Sequence, residues 1–346
     1  MEEADALGPA EVVSVLSAEH SSTSRRVLEY LAESTIRDSA RHSPALLEKT
    51  SDSPEKHSPQ SGRLPTMPYI CSMLQDEFKF FKPCRELRPY VRYYWAFKSS
   101  ERLNALTFPI GCPQIIFHRK SPLRIPELGI SQPRLAVSGQ VNFPAHLCSE
   151  GDLEMVVAVF QPNAMKIFLH LPVFLLHNQE VSGHDLGNNE LETLAEKITD
   201  CEDASQCVAM TEQWLLAQMA NAKTPQIECD IKRTTAAMRQ LFAMPETPVA
   251  ELASTACLGK KQFERLFRNM VGTNPKEYAR IVRFQKSLKH LQHYPGNGIN
   301  LAQLAYRCGY ADQSHLVREF KQFSGQTPLS LQKTGQPYSD LFTQPV

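Results

Sequence analysis

Two arginines, Arg265 and Arg318, occupy the same place in two similar stretches of the chain. An arginine carries a planar fork of N–H donors that fits the O6 and N7 acceptors of guanine in a major groove. Gln313 has the paired donor and acceptor that suit adenine, and Glu264 could accept from a cytosine amino group although a phosphate would repel it. The bland alternative for both arginines is an ion pair within their own domain. Further polar or small residues accompany them: Lys260, Lys261 and Arg268 in the first stretch, Ser314, Val317 and Lys321 in the second.

The elements that must hold these side chains follow from an internal repeat. Arg265, Phe267, Arg268, Gly272 and Pro275 recur as Arg318, Phe320, Lys321, Gly325 and Pro328, and Glu251-Leu252-Ala253 is echoed by Gln303-Leu304-Ala305. A duplication of about fifty residues follows. In the second copy the spacing predicts a short helix over 301–307, a turn at Cys308, Gly309 and Tyr310, and a helix over 313–323 capped by Asp312. Gly309 can take the left-handed backbone conformation that such a turn needs. Leu316, Phe320 and Phe323 share one helical face and point inward, leaving Gln313, Ser314, Val317, Arg318 and Lys321 outside. The first copy predicts helices over 249–255 and 260–270. Phe263, Leu266, Phe267 and Met270 are inward there, and Lys260, Lys261, Glu264, Arg265 and Arg268 outward. A short helix bracing a second one with an outward polar face is the geometry of major-groove recognition.

Asn274 caps and Pro275 opens a helix that joins the two units and runs to about residue 292. Eighteen residues span roughly 27 Å, comparable with the roughly 34 Å between successive major grooves on one face of B-DNA. Arg280, Arg283, Lys286 and Lys289 on this helix are expected on a phosphate-facing or solvated side.

The rest of the chain is different in kind. Residues 50–65 are crowded with Ser, Pro and charge, so 1–66 is expected to be a disordered extension, with one amphipathic helix possible over 26–36 and alternative translation starts at Met67 or Met73. Over 91–97, 113–118, 134–141 and 153–160, β-branched and aromatic runs predict short strands of a small antiparallel sheet or barrel. Helices are expected over 164–171, 190–199 and 204–220. The fold class is therefore α+β: a small antiparallel β-domain with flanking helices over 74–223, then an all-α domain over 228–334.

Net charge is zero, with 37 basic against 37 acidic residues, but 228–334 holds 16 basic and 8 acidic residues. A basic end on a neutral chain fits a duplex DNA partner for that end. Nine cysteines, irregularly spaced and without a C-x-x-C pair, exclude a disulfide framework and fit a cytoplasmic address. Only Cys201 and Cys207 lie close enough in sequence to suggest a redox or metal pair, and zinc would need further ligands. No run is apolar enough to span a membrane, and the first residues lack the pattern of a secretory signal. The glycine-rich nucleotide loops, the nucleophile elbow and the H-E-x-x-H zinc motif are absent, so no catalytic residue, cofactor or metal is expected. A metal-dependent barrel enzyme built on His118 and His146 is the less favoured rival, since an H-x-H pair is missing. The other rival is a DNA-associated protein without sequence preference.

Leu304, Ala305, Gly309, Tyr310, Asp312, Gln313, Ser314, His315, Arg318, Phe320, Lys321, Gly325, Thr327 and Pro328, with Gly272, Pro275, Lys276, Glu277 and Tyr278 in the first copy, make 231–333 resemble the DNA-binding domain of the AraC/XylS family of transcription regulators. The resemblance implies two recognition helices, over 260–270 and 313–323. Lys261, Glu264, Arg265, Gln313, Ser314, Val317 and Arg318 would then face bases, and Lys260, Arg268 and Lys321 phosphates. It also implies RNA polymerase, a small-molecule effector and a second copy of the chain as candidate partners. Two departures stand in the first unit: Cys257 where the family usually has glycine, and Gly259 where a capping serine is common. More weakly, Phe81-Lys82-Pro83, 90–95 and Phe160-Gln161-Pro162 resemble the sensor domains attached to such regulators, which implies a regulatory, sensor or dimerisation domain over 74–223.

Overall fold

The computed structural model describes residues 77–222, 224–293 and 299–334. The expected extension over 1–66, its helix and the alternative starts lie outside the described residues.

The first part is built of antiparallel strands. Strands β1 (Glu77–Phe81), β2 (Val91–Ser99), β4 (Gln114–His118), β7 (Leu135–Ser138), β9 (Leu153–Phe160) and β10 (Glu180–Ser182) form a sheet in the order β1-β2-β9-β4-β7-β10. Strands β3 (Leu103–Thr107), β5 (Arg124–Ile125), β6 (Ile130–Ser131) and β8 (Ala145–Ser149) form a second, in the order β3-β8-β5-β6. Between them lies an apolar core to which β2 and β9 contribute Trp95, Phe97, Met155, Val157 and Val159, with Trp95 opposite Val157 and Phe97 opposite Met155. The other face of β9 is covered as well: Phe160 packs on Phe168 of helix α1 (Met165–Leu169), ring centroids 5.3 Å apart. Burial on both faces is why the strand is continuously apolar rather than alternating.

The strand expected over 134–141 is shorter, and a close approach explains it. A Cβ on Gly139 would lie 2.0 Å from the carbonyl oxygen of Leu176, so the chain leaves the sheet where the 3-10 turn Val173–Leu176 crosses it. Helices α2 (Asn189–Thr199) and α3 (Ala204–Ala222) follow, and Cys201 and Cys207 are buried around them. His118 is buried and within 2.9 Å of Gln132, while His146 is half-buried and bonded to Glu127 at 2.6 Å, so the two histidines serve separate contacts.

The second part is helical: α4 (Pro225–Ala243), α5 (Val249–Thr255), α6 (Lys260–Val271), α7 (Pro275–His293), α8 (Leu301–Arg307), α9 (Gln313–Ser324) and α10 (Pro328–Thr334). It has two cores. Phe263, Phe267, Met270 and Tyr278 belong to one, and Phe284, Leu316, Phe320 and Phe323 to the other. Helix α7 supplies residues to both, so a single rigid element joins the units.

The two parts meet over a broad seam. Leu106 and Phe108 enter the second helical core, with Phe108 edge-on to Phe284 at 6.0 Å. Asn163 donates to the hydroxyls of Thr234 and Thr235 at 2.8 and 2.9 Å, and the Tyr278 hydroxyl donates to the Gly111 carbonyl at 3.4 Å. Among the described residues no helix is long and apolar enough to cross a membrane.

Candidate nucleic-acid interface

The two helical units are the same device built twice, bond for bond at the turn. After α5, Ala256 N–H donates to Leu252, Cys257 to Ser254 and Leu258 to Ala253; after α8, Cys308 donates to Leu304, Gly309 to Tyr306 and Tyr310 to Ala305. The central residue is left-handed in both, with φ +53° at Cys257 and +79° at Gly309. The substitution for glycine therefore keeps the turn, at the steric cost that a Cβ imposes there.

Each second helix starts and stops for local reasons. Asp312 accepts the His315 N–H at 2.7 Å and caps α9. Helix α6 starts after Gly259 without a side-chain cap, the second departure noted in the sequence. Both end on a left-handed glycine, Gly272 or Gly325. Inside, Phe263, Phe267 and Met270 of α6 and Leu316, Phe320 and Phe323 of α9 are wholly buried. Leu266 is only partly so.

The residues expected at the surface are there. Lys260, Lys261, Arg265 and Arg268 on α6, and Gln313, Ser314, Arg318 and Lys321 on α9, are exposed; Glu264 and Val317 are half-buried. Among the described residues, neither Arg265 nor Arg318 makes a hydrogen bond or ion pair. The alternative of pairing within the domain thus falls away for both. Gln262, exposed in the first turn of α6, joins the same face and was not singled out in the sequence, where its helical position was the available signal. Tyr306, 87% exposed on α8, was also missed, because an aromatic beside Leu304 and Ala305 reads as core.

The linking helix corrects one expectation. Arg280 and Arg283 do not point to a phosphate-facing or solvated side; they close on Glu319 of α9, whose side chain is 4% exposed. Arg280 Nε lies 2.9 Å and Arg283 Nη2 3.0 Å from the carboxylate, and His315 adds a contact at 3.5 Å. A carboxylate buried on α9 is tolerable only when so paired.

Residues 252–334 match the profile of a helix-turn-helix domain family, and residues 79–182 match that of a domain of unknown function (DUF6597). The chain is 31% identical over 93 residues to an uncharacterized HTH-type transcriptional regulator, YdeC, of Bacillus subtilis, a match covering 27% of this chain and 31% of that protein. It is 34% identical over 86 residues to a probable transcriptional regulator, LumQ, of Photobacterium leiognathi, covering 24% and 33%. The chain thus spans about a third of the length of each of these relatives. Among solved structures, ToxT from Vibrio cholerae O395 aligns over 75% of this chain and 98% of its own length, with 10% identity and a TM-score of 0.37.

Proposed function

We propose that this chain is a transcription regulator of the AraC/XylS kind that binds duplex DNA in a sequence-dependent way, with α6 and α9 in adjacent major grooves; the helix-turn-helix profile over 252–334 and the two regulator relatives support this reading. The observation that carries this is the repeated placement of an exposed arginine with no partner among the described residues, Arg265 and Arg318, on two helices held by matching turns. Arg265, Arg318, Gln313, Glu264, Lys261, Ser314 and Val317 face bases in this reading, and Lys260, Arg268 and Lys321 face phosphates. Helix α7, 19 residues and so about 28 Å long, is the spacer. The β-rich region carries regulation, through self-association or a small-molecule effector, and DNA-bound protein acts on RNA polymerase.

Selection of binding sites from random duplexes, with wild-type protein and Arg318→Ala at fixed salt, tests the proposal. The expected result is an asymmetric site with two blocks about one helical turn apart, one of which relaxes in the variant. Lys321→Ala should weaken all sequences alike and lower the slope of log affinity against log salt by roughly one. Binding that is indifferent to sequence and to Arg318→Ala would sink the reading in favour of non-specific association.

A further inference from the structure

We infer that the 3-10 turn Val173–Leu176 of the β-rich region is the positioning element of the first recognition helix, and so sets which bases the first unit prefers. This rests on the DNA-reading role proposed above. The two recognition helices are repeats, yet they are held differently. Helix α9 is fixed within the helical part, by Glu319 locked between Arg280 and Arg283 of α7. The matching place on α6 is Leu266, which cannot form such a lock.

Instead α6 ends against the β-rich part. The Arg268 guanidinium stacks 4.7 Å above the Phe174 ring. At the end of the helix, a Cβ on Gly272 would lie 3.1 Å from the Val173 carbonyl oxygen and 3.2 Å from Val173 Cγ1. The approach is tighter than an ordinary Cβ contact, and φ +97° at this position favours glycine in its own right. The corresponding Gly325 of the second unit meets only Pro144 Cγ, at 4.0 Å. Just beyond Gly272, Glu277 is hydrogen-bonded by Asn142 and by Thr273, with His177 Nε2 at 3.7 Å, which ties the start of α7 to the same region.

The lever is long enough to matter. Helix α6 has 12 residues, about 18 Å. A tilt of about 10° about its anchored C-terminal end moves its first turn by about 3 Å, far outside the few tenths of an ångström that a hydrogen bond tolerates. A change confined to this turn reaches the block read by α6 directly, through Arg268 and Gly272, and the block read by α9 less directly, by way of α7 and the core around Phe108.

The test uses the full chain. The two blocks are first assigned by Arg265→Ala and Arg318→Ala, and sites are then selected with Phe174→Ala and Glu319→Gln at one salt concentration. Phe174→Ala should reduce discrimination in the Arg265 block roughly tenfold, about the effect of one mismatched base pair, with the Arg318 block unchanged. Glu319→Gln should do the reverse. If Phe174→Ala melts early by circular dichroism, Phe174→Leu keeps the apolar volume and carries the same expectation in smaller measure. Equal weakening of both blocks, or no change in either, overturns the inference while the DNA-reading role stands. A wild-type chain that selects no site overturns both.

Discussion

Replacing Glu319 is the sharpest probe of how α9 is held. Glu319→Gln preserves volume but leaves two guanidiniums facing a neutral amide. Removing one partner of a buried ion pair costs about 3–5 kcal/mol. The low end applies, because the side chain of Arg280 is 32% exposed and can turn to solvent, whereas that of Arg283 is 12% exposed and cannot do so without unpacking from Tyr310, which its guanidinium overlies at 5.4 Å. The expected loss is therefore about 3 kcal/mol, a fall in melting temperature of roughly 6–12 °C for a domain of this size. Urea unfolding followed by circular dichroism reads it. A double-mutant cycle with Arg283→Met should return a coupling of about 2 kcal/mol, within the range for residues in direct contact. The triple replacement Glu319→Leu, Arg280→Met, Arg283→Met should recover most of the loss, since apolar substitutes for a buried ion triad need no desolvation of charge. A loss below about 1 kcal/mol for Glu319→Gln, or strictly additive cycles, would refute the idea that the triad fixes α9 on α7.

Two further outcomes are expected. Cys257→Gly should stabilise the protein by about 1 kcal/mol, because it removes a Cβ from a residue at φ +53°; an unchanged urea midpoint would mean that the turn carries no strain. In the β-rich part, desolvation pushes the Glu180 carboxyl, which accepts from Gln132 Nε2 at 3.1 Å, up to about 7 from an ordinary 4.5. A raised folded-state value means that the folded chain holds this proton more tightly, so the stability is present below pH 4.5 and is lost as pH rises through 7. Burial likewise lowers His118 from 6.5 to about 4, so its contribution is lost in the opposite direction, as pH falls from 6.5 towards 4. Glu180→Gln should flatten the loss between pH 5 and 7, amounting to roughly 3 kcal/mol, and leave the His118 limb in place; stability measured by urea at half-unit pH steps checks both.

Much of the candidate nucleic-acid interface was legible in the residues because its determinants are local. The inward stripe of Phe263, Phe267 and Met270, the Asp312 cap and the glycines at 272, 309 and 325 each act within one or two helical turns, so spacing alone located α5, α6, α8 and α9 almost to the residue. Outward placement of Arg265 and Arg318 follows from the same periodicity. What the residues could not say is what answers each charge. Arg280, Arg283 and Arg318 are alike in the sequence, and only the packing of α7 on α9 gives the first two a buried carboxylate while leaving the third without a partner among the described residues. The β-rich part was harder to read for a related reason. Strands such as Arg124–Ile125 and Glu180–Ser182 are too short for any period to show, and they exist because a neighbouring strand offers hydrogen bonds. Sequence therefore determined the two helix-turn-helix units and their outward faces, through interactions between residues a few positions apart. Tertiary structure decided which charges are spent internally and how the turn at 173–176 comes to lie against α6, since both depend on contacts between residues that are far apart along the chain.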